Sequence, residues 1–412
     1  MEKNRSKIIL VYTLLVISYF FSYFFRISTS VVLPVLGSNW GLSASIVGFI
    51  SSMYYYTYAI MQPMCGALND RICPEKIVGF GIIITSIGSL CFGIGNNIAW
   101  LVLGRLLMGI GLSPMLSGLL VFQGNNFRPE QYTFLSGLSM MIGNFGAVVS
   151  VAPLSLALNK WGRTKIFCIL SFLTVFIAIG LFLSKTKAPN KIINNSFSKT
   201  LKKQLKDSFH IVKSSENLKR IIIIWMIIFG SLMAYQGLWA VSWFKITYPE
   251  KLNLASLAAT FIGIGVMIGN FLGIYLSKKS KQRYKIIANL VYSIFAFWII
   301  TVFCFFIKAP LLITIISSTI LGIMNGMAFT QLTAGINDIA SKGKGGTLFG
   351  ITNCITFTCV IIFQWGTGAL IDLFSKSITP QRSYILTFVI VICILIVTCI
   401  SARGLKPFKK IE

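Results

Sequence analysis

Residues 8–36 read IILVYTLLVISYFFSYFFRISTSVVLPVL, an apolar run interrupted by one cation, Arg26. About 20 apolar residues suffice to cross the hydrocarbon core of a bilayer as a helix. This run is longer than that and longer than the core of a secretory signal. It also lacks a small-residue cleavage site, so it is expected to be kept as a first membrane span. Outward from it, runs of spanning length recur at about 43–68, 77–95, 98–123, 131–158 and 164–184, and again at about 219–245, 253–277, 285–307, 310–337, 346–372 and 382–402. The 412 residues are 55% hydrophobic and 11% charged, with a mean hydropathy of +0.80, which leaves no room for a soluble domain of ordinary composition. The expected fold class is an all-α membrane protein with twelve transmembrane helices in two six-helix pseudo-repeats.

The domain plan that follows is an N-terminal six-helix bundle over 1–184, a linker over 185–218 and a C-terminal six-helix bundle over 219–412. The net charge of +27, from 37 Lys and Arg against 10 acids, would point to nucleic acid in a soluble protein. Here the cations fall in loops, and positively charged loops stay cytoplasmic. With the N-terminus inside, the cytoplasmic segments hold Lys3, Arg5, Lys7, Arg71, Lys76, Arg128, the basic linker, Lys278, Lys279, Arg283, Lys342, Lys344 and the Lys-rich C-terminus. The opposite face keeps only Lys160, Arg163, Lys165, Lys245, Lys251, Lys308, Lys376 and Arg382. Both termini are therefore expected in the cytoplasm, and the Lys, Ile and Asn bias suits a bacterial inner membrane. In the linker, Leu201, Leu205, Phe209 and Val212 recur at helical spacing among lysines, the pattern of a helix lying on a membrane surface. His210 within it reads as a solvated residue. The nine cysteines are scattered without CxxC spacing or a Cys/His cluster and read as small buried hydrophobes. No metal, cofactor or nucleic-acid partner is called for.

The two halves echo each other, as in transporters built from repeats. Gly66-Ala-Leu-Asn-Asp70-Arg71-Ile-Cys-Pro-Glu75-Lys76 follows the second span, and Gly273-Ile-Tyr-Leu-Ser277-Lys278-Lys279 follows the eighth. Leu135-Ser-Gly137 in the fifth span is answered by Leu348-Phe-Gly350 in the eleventh. The Gly66, Asp70, Arg71 and Lys76 loop, with Arg105-Leu-Leu-Met-Gly109-Ile-Gly111 in the fourth span, resembles the signature motifs of the major facilitator superfamily over essentially the whole chain. That resemblance implies a carrier in which two bundles rock around a central site, with Gly66, Asp70 and Arg71 as gating residues. Ser277 stands where an acid would sit in the second half, so the gate is expected to be asymmetric. A narrower likeness, carried by Arg26-Ile-Ser-Thr-Ser-Val-Val-Leu-Pro34, the Tyr54 to Pro63 stretch and Gln236-Gly-Leu-Trp239, is to bacterial sugar-phosphate-permease-like and phagosomal nutrient transporters.

Arg26 lies about 18 residues into the first span, some 27 Å at roughly 1.5 Å per residue, and Arg105 reaches a similar depth from the other side. A charge there costs at least about 2.5 to 3.5 kcal/mol on insertion scales, which makes each a candidate for function, with a scaffold role as the alternative. All ten acids lie at helix ends, in loops or at termini. With no buried carboxylate to answer the arginines, the cargo itself is expected to supply negative charge, because a guanidinium presents a planar fork to carboxylate or phosphate. Polar residues at helical spacing complete the candidate binding set. They are Tyr54 and Tyr58 with Gln62, Gln236 and Trp239 with Trp243, and Asn353 with Thr356 and Gln364, together with Asn144, Asn325 and Gln331. For each of these, hydrogen bonding between helices or aromatic packing is the alternative reading.

The expected function is transport of a small organic anion or zwitterion, such as an amino acid, small peptide or carboxylate, by a monomeric, non-enzymatic carrier working by alternating access. Organophosphate exchangers of the superfamily pair a first-span arginine with one in the seventh. Here that stretch reads Ala234-Tyr235-Gln236-Gly237, so an organophosphate/phosphate exchanger is the alternative. A multidrug efflux carrier is a second one, weakened by the missing buried acid and by Gly143-Asn-Phe-Gly146 in place of a Gly-Pro motif.

Overall fold

The computed structural model describes residues 2–69, 72–184, 212, 215–279, 282–339 and 345–408. Among them the chain is helical, and twelve spans can be traced. The first is Glu2–Ile27 with Thr29–Trp40, the second Ala44–Asn69, the third Pro74–Ile94 and the fourth Ile98–Leu112 with Met115–Asn126. Pro129–Val149 begins the fifth, and the helix Ala152–Leu183 completes it and supplies the sixth, the two separated at Gly162, whose φ of 77° breaks the helical path. Glu216–Ala234, a π-helical turn Tyr235–Trp239 and Ala240–Thr247 form the seventh. Leu252–Lys279, Arg283–Phe306, Leu311–Ile339, Gly345–Ser375 and Pro380–Arg403 are the eighth to twelfth. The proposed linker helix, His210, Asp70 and Arg71 lie outside the described residues.

Local chemistry explains the interruptions. In the first span, the Ser28-Thr29-Ser30 triplet supplies hydroxyls that compete for backbone groups. Ser30 Oγ donates to the Ile27 carbonyl at 2.9 Å, and the ladder restarts from the Ser28 carbonyl, which accepts from Val32 N at 3.1 Å. Pro34, with no N–H, follows within the restarted segment. That segment ends at Gly41, whose φ of 63° is a left-handed cap, its N–H returning to the Gly37 carbonyl. Pro114, which has no N–H, stands at the break between the two segments of the fourth span.

Each half shows the same pattern of helix pairs. In the first, span one meets span five through Tyr12 Oη donating to the Leu135 carbonyl at 3.3 Å, and span two meets span four through Thr57 Oγ1 donating to the Leu106 carbonyl at 2.9 Å. Span three meets span six through the Ser86 and Ser171 hydroxyls, 2.6 Å apart. The second half repeats these pairings. Gln364 Nε2 donates to the Met233 carbonyl at 3.1 Å between spans eleven and seven, and Trp298 stacks on Phe388 at 5.6 Å between spans nine and twelve. Between spans eight and ten, Gly265 and Gly269 come so close to the backbone of Thr319 and Ile323 that a Cβ at either would collide with a carbonyl, the small-residue contact that membrane helices use to approach. Large apolar side chains such as Phe176, Phe271 and Ile400 are left exposed on the outside, as lipid contact requires.

The compact units do not follow chain order at one place. Residues 2–26 and 53–184 form one unit, whereas 27–52 pack with the described residues of the second half.

Candidate substrate-binding site

The first unit brings Arg26, Arg105, Tyr54 and Tyr58 together. Tyr19, Tyr23 and Arg26 follow at i, i+4 and i+7, and so share one face of the first span. Tyr54 and Tyr58 at i and i+4 face it from the second. The Arg26 guanidinium, in a residue 4% exposed, lies 4.7 Å from the ring centroid of Tyr23, 5.1 Å from Tyr58 and 5.9 Å from Tyr54, and it hydrogen-bonds with Tyr58. Desolvated cation–π contacts contribute about 0.5 to 2 kcal/mol each. Three of them offset the insertion cost of the charge without supplying a formal negative charge.

Arg105 also approaches the Tyr54 ring. Its guanidinium is 4.8 Å from the Tyr54 centroid, and Nη1 donates to the Phe25 carbonyl at 2.8 Å. A charge-assisted hydrogen bond to a backbone oxygen next to the interrupted ladder makes Arg105 a brace for the first span. Tyr54 thus has two guanidiniums near its ring, at 5.9 and 4.8 Å from the centroid. It stacks on Tyr58 with ring centroids 5.4 Å apart and meets Tyr55 edge-on at 5.1 Å. Its hydroxyl is buried with no hydrogen-bond partner among the described residues. The close seat of this ring depends on Gly109, where any side chain would strike the Tyr54 carbonyl and the Thr57 hydroxyl.

The other candidates are placed elsewhere. Asn144, in the same unit, turns its amide back to the Met140 carbonyl at 2.8 Å, a bond within its own helix. In the second half, Gln236 is buried inside the π-helical turn, and π-turns often mark functional positions. Trp239 donates Nε1 to Thr367 Oγ1 at 2.9 Å and meets Tyr384 edge-on. Trp243 lies between Phe305 and Phe388, stacked at 4.1 and 4.7 Å, as a packing residue. Asn353 is buried on span eleven. Gln331 is tied down at both ends, donating Nε2 to the Gly273 carbonyl at 2.7 Å and accepting from Arg283 Nη1 at 2.9 Å, while Arg283 Nε pairs with Asp338 at 2.7 Å. Gly66 lies near the end of span two. Sequence reading passed over Tyr19 and Tyr23, although their spacing from Arg26 was a usable signal. It also missed the Phe25 carbonyl, for which no residue type is a sign. Among the described residues no cluster of His, Cys, Asp or Glu has the makings of a metal site.

Among the described residues, ten helices are long and apolar enough to cross a membrane, which defines a multi-pass membrane protein. The chain matches the Major Facilitator Superfamily over residues 15–366 and belongs to that family. It is 29% identical over 162 residues to a probable L-galactonate transporter of Escherichia coli (strain K12), a match covering 39% of this chain and 36% of that protein. It is 33% identical over 87 residues to a probable hexose phosphate transport protein of Chlamydia trachomatis serovar D, covering 21% of this chain and 19% of the relative. The chain thus matches about a third or less of the length of these two relatives. Its fold is similar to the crystal structure of a D-xylose-proton symporter, with a TM-score of 0.76, 13% identity and 98% of each chain covered.

Proposed function

We propose that this chain carries a small organic monoanion or zwitterion by alternating access, with Arg26 as the residue that receives the carboxylate. It does so in a bacterial inner membrane with both termini in the cytoplasm. The observation that carries the reading is the setting of Arg26: a guanidinium at mid-span, held by tyrosine ring faces, with Glu2 at the far N-terminal end the one acid in spans one, two and four. An incoming carboxylate exchanges a partly screened ring face for a full ion pair. The polyhydroxy monocarboxylate named for the Escherichia coli relative has this chemistry. The tyrosine hydroxyls around Arg26 suit its hydroxyl groups.

The hexose phosphate relative favours a second reading, an organophosphate exchanger. Against it stands the seventh span, where Gln236 rather than a cation accompanies Tyr235. One guanidinium bonded to the Phe25 carbonyl and one set among tyrosine rings suit a monoanion better than a phosphate dianion.

A thermal-shift screen of purified protein with sugar acids, amino acids, dipeptides and sugar phosphates tests both readings. The expected outcome is stabilisation by monocarboxylates and its loss in Arg26→Gln, with affinity falling roughly 10- to 150-fold, as for a hydrogen bond to a charged group. Stabilisation by sugar phosphates alone would replace the first reading with the second, and undiminished uptake by Arg26→Gln would remove both.

A further inference from the structure

Residues 27–52 belong in chain order to the first six spans but pack with the second half. Asp372, near the end of Gly345–Ser375, accepts the backbone N–H of Ala44 at Oδ1 and that of Ser45 at Oδ2, each at 2.7 Å. These two amides open the helix Ala44–Asn69 and have no partner within it. They also form the positive end of its dipole. One carboxylate therefore caps, with both oxygens, a helix that starts more than 300 residues earlier in sequence, as the separations of 328 and 327 residues record.

The surroundings are built for that approach. A Cβ at Gly368 would collide with the Ala44 carbonyl, and one at Gly48 with the Gln364 carbonyl, so both backbones close only because these positions are glycine. Trp365 donates Nε1 to Ser45 Oγ at 3.2 Å and meets Phe49 edge-on at 5.6 Å. Further along, Thr29 Oγ1 donates to the Gly237 carbonyl at 3.0 Å, which joins the interrupted ladder of span one to the π-helical turn of span seven.

We propose that Asp372 is an electrostatic latch, whose two-oxygen cap on the start of the second span sets how much of the population holds segment 27–52 against the second half. The inference rests on the alternating-access reading but on no particular cargo. An acid suits this role because an asparagine in its place keeps one acceptor oxygen and turns N–H groups toward the second backbone amide. When the segment departs, water takes over the Ala44 and Ser45 amides, so the latch can be released at modest cost.

Hydrogen–deuterium exchange on the full chain in lipid nanodiscs, without substrate, tests the latch. In Asp372→Asn, amides of segment 27–52 are expected to exchange roughly 2- to 30-fold faster, the range of a lost helix cap, while those of Pro74–Ile94 keep their wild-type rates. Unchanged exchange of 27–52 overturns the proposal whether or not a cargo is known, whereas failure of the anion reading leaves the exchange pattern as expected. If Asp372→Asn loosens both segments, Asp372→Glu decides. Protection of 27–52 restored by the second carboxylate supports the latch, and exchange as fast as in the asparagine variant overturns it.

Discussion

Arg26 and Arg105 are both buried guanidiniums, and their neighbours divide the work between them. Arg105 donates to a main-chain oxygen, so Arg105→Gln is expected to cost about 1.5 to 3 kcal/mol of stability without any ligand, read as a lower melting temperature in detergent. Arg26→Gln trades cation–π contacts for relief from burying a charge, two terms of similar size, and is expected to leave the ligand-free melting temperature nearly unchanged. Tyr54 gives a sharper contrast. Its buried hydroxyl has no protein partner among the described residues, so Tyr54→Phe is expected to keep or raise ligand-free stability while lowering substrate affinity about tenfold. Equal affinity in the variant, measured by ligand titration, would show that the hydroxyl does not touch cargo. At this scale the sequence disclosed the charges and hid their partners. An arginine's depth follows from counting residues, whereas the carbonyl it braces belongs to whichever helix happens to pack beside it.

Helices meet through glycines, and their surroundings separate those that matter. Gly109 is pressed against span two, while Gly137 has open space where a side chain would go. Gly109→Val is therefore expected to abolish a monodisperse, folded protein on size-exclusion chromatography, and Gly137→Ala to be tolerated with up to about 1 kcal/mol of gain from helix propensity. The spans themselves were legible because lipid demands long apolar runs, and ten of the helical segments meet that demand by length and composition alone. Their irregularities were not. A π-turn leaves the apolar pattern of Tyr235 to Trp239 unchanged, and at Ser28 the sequence does not show that Ser30 Oγ turns back to the Ile27 carbonyl while Thr29 Oγ1 reaches Gly237. Gln331 illustrates the same limit, since an amide in an apolar run reads alike whether it faces cargo or fastens Arg283.

Across the whole molecule, cations outnumber acids, and the one acid within the spans that hold Arg26 and Arg105 is Glu2, at the N-terminal end of the first. Contrary to the expectation that no acid is buried, Glu75 is enclosed at the start of span three; because it lies on neither span that carries the buried arginines, uptake into proteoliposomes down a substrate gradient is expected to proceed at the same rate with and without a pH gradient. Strong acceleration by an inward proton gradient would show that another group titrates during transport. The repeat architecture was readable from paired motifs and loop charges, but the membership of 27–52 in the second compact unit was not. Asp372, which contributes two hydrogen bonds to that packing, is an acid at a helix end, outside the membrane interior where the sequence directs attention.

The interruption at Ser28 also has a mechanical meaning. The segment Thr29–Trp40 is 12 residues long, a lever of about 18 Å, whereas Arg26 lies only about 3 Å from the pivot. Swinging the far end moves the near end about one sixth as far. Any tilt of Thr29–Trp40 about that point therefore leaves Arg26 nearly in place beside Tyr23 and Tyr58, so the position of the segment and the setting of the cation are mechanically separable within a single helix.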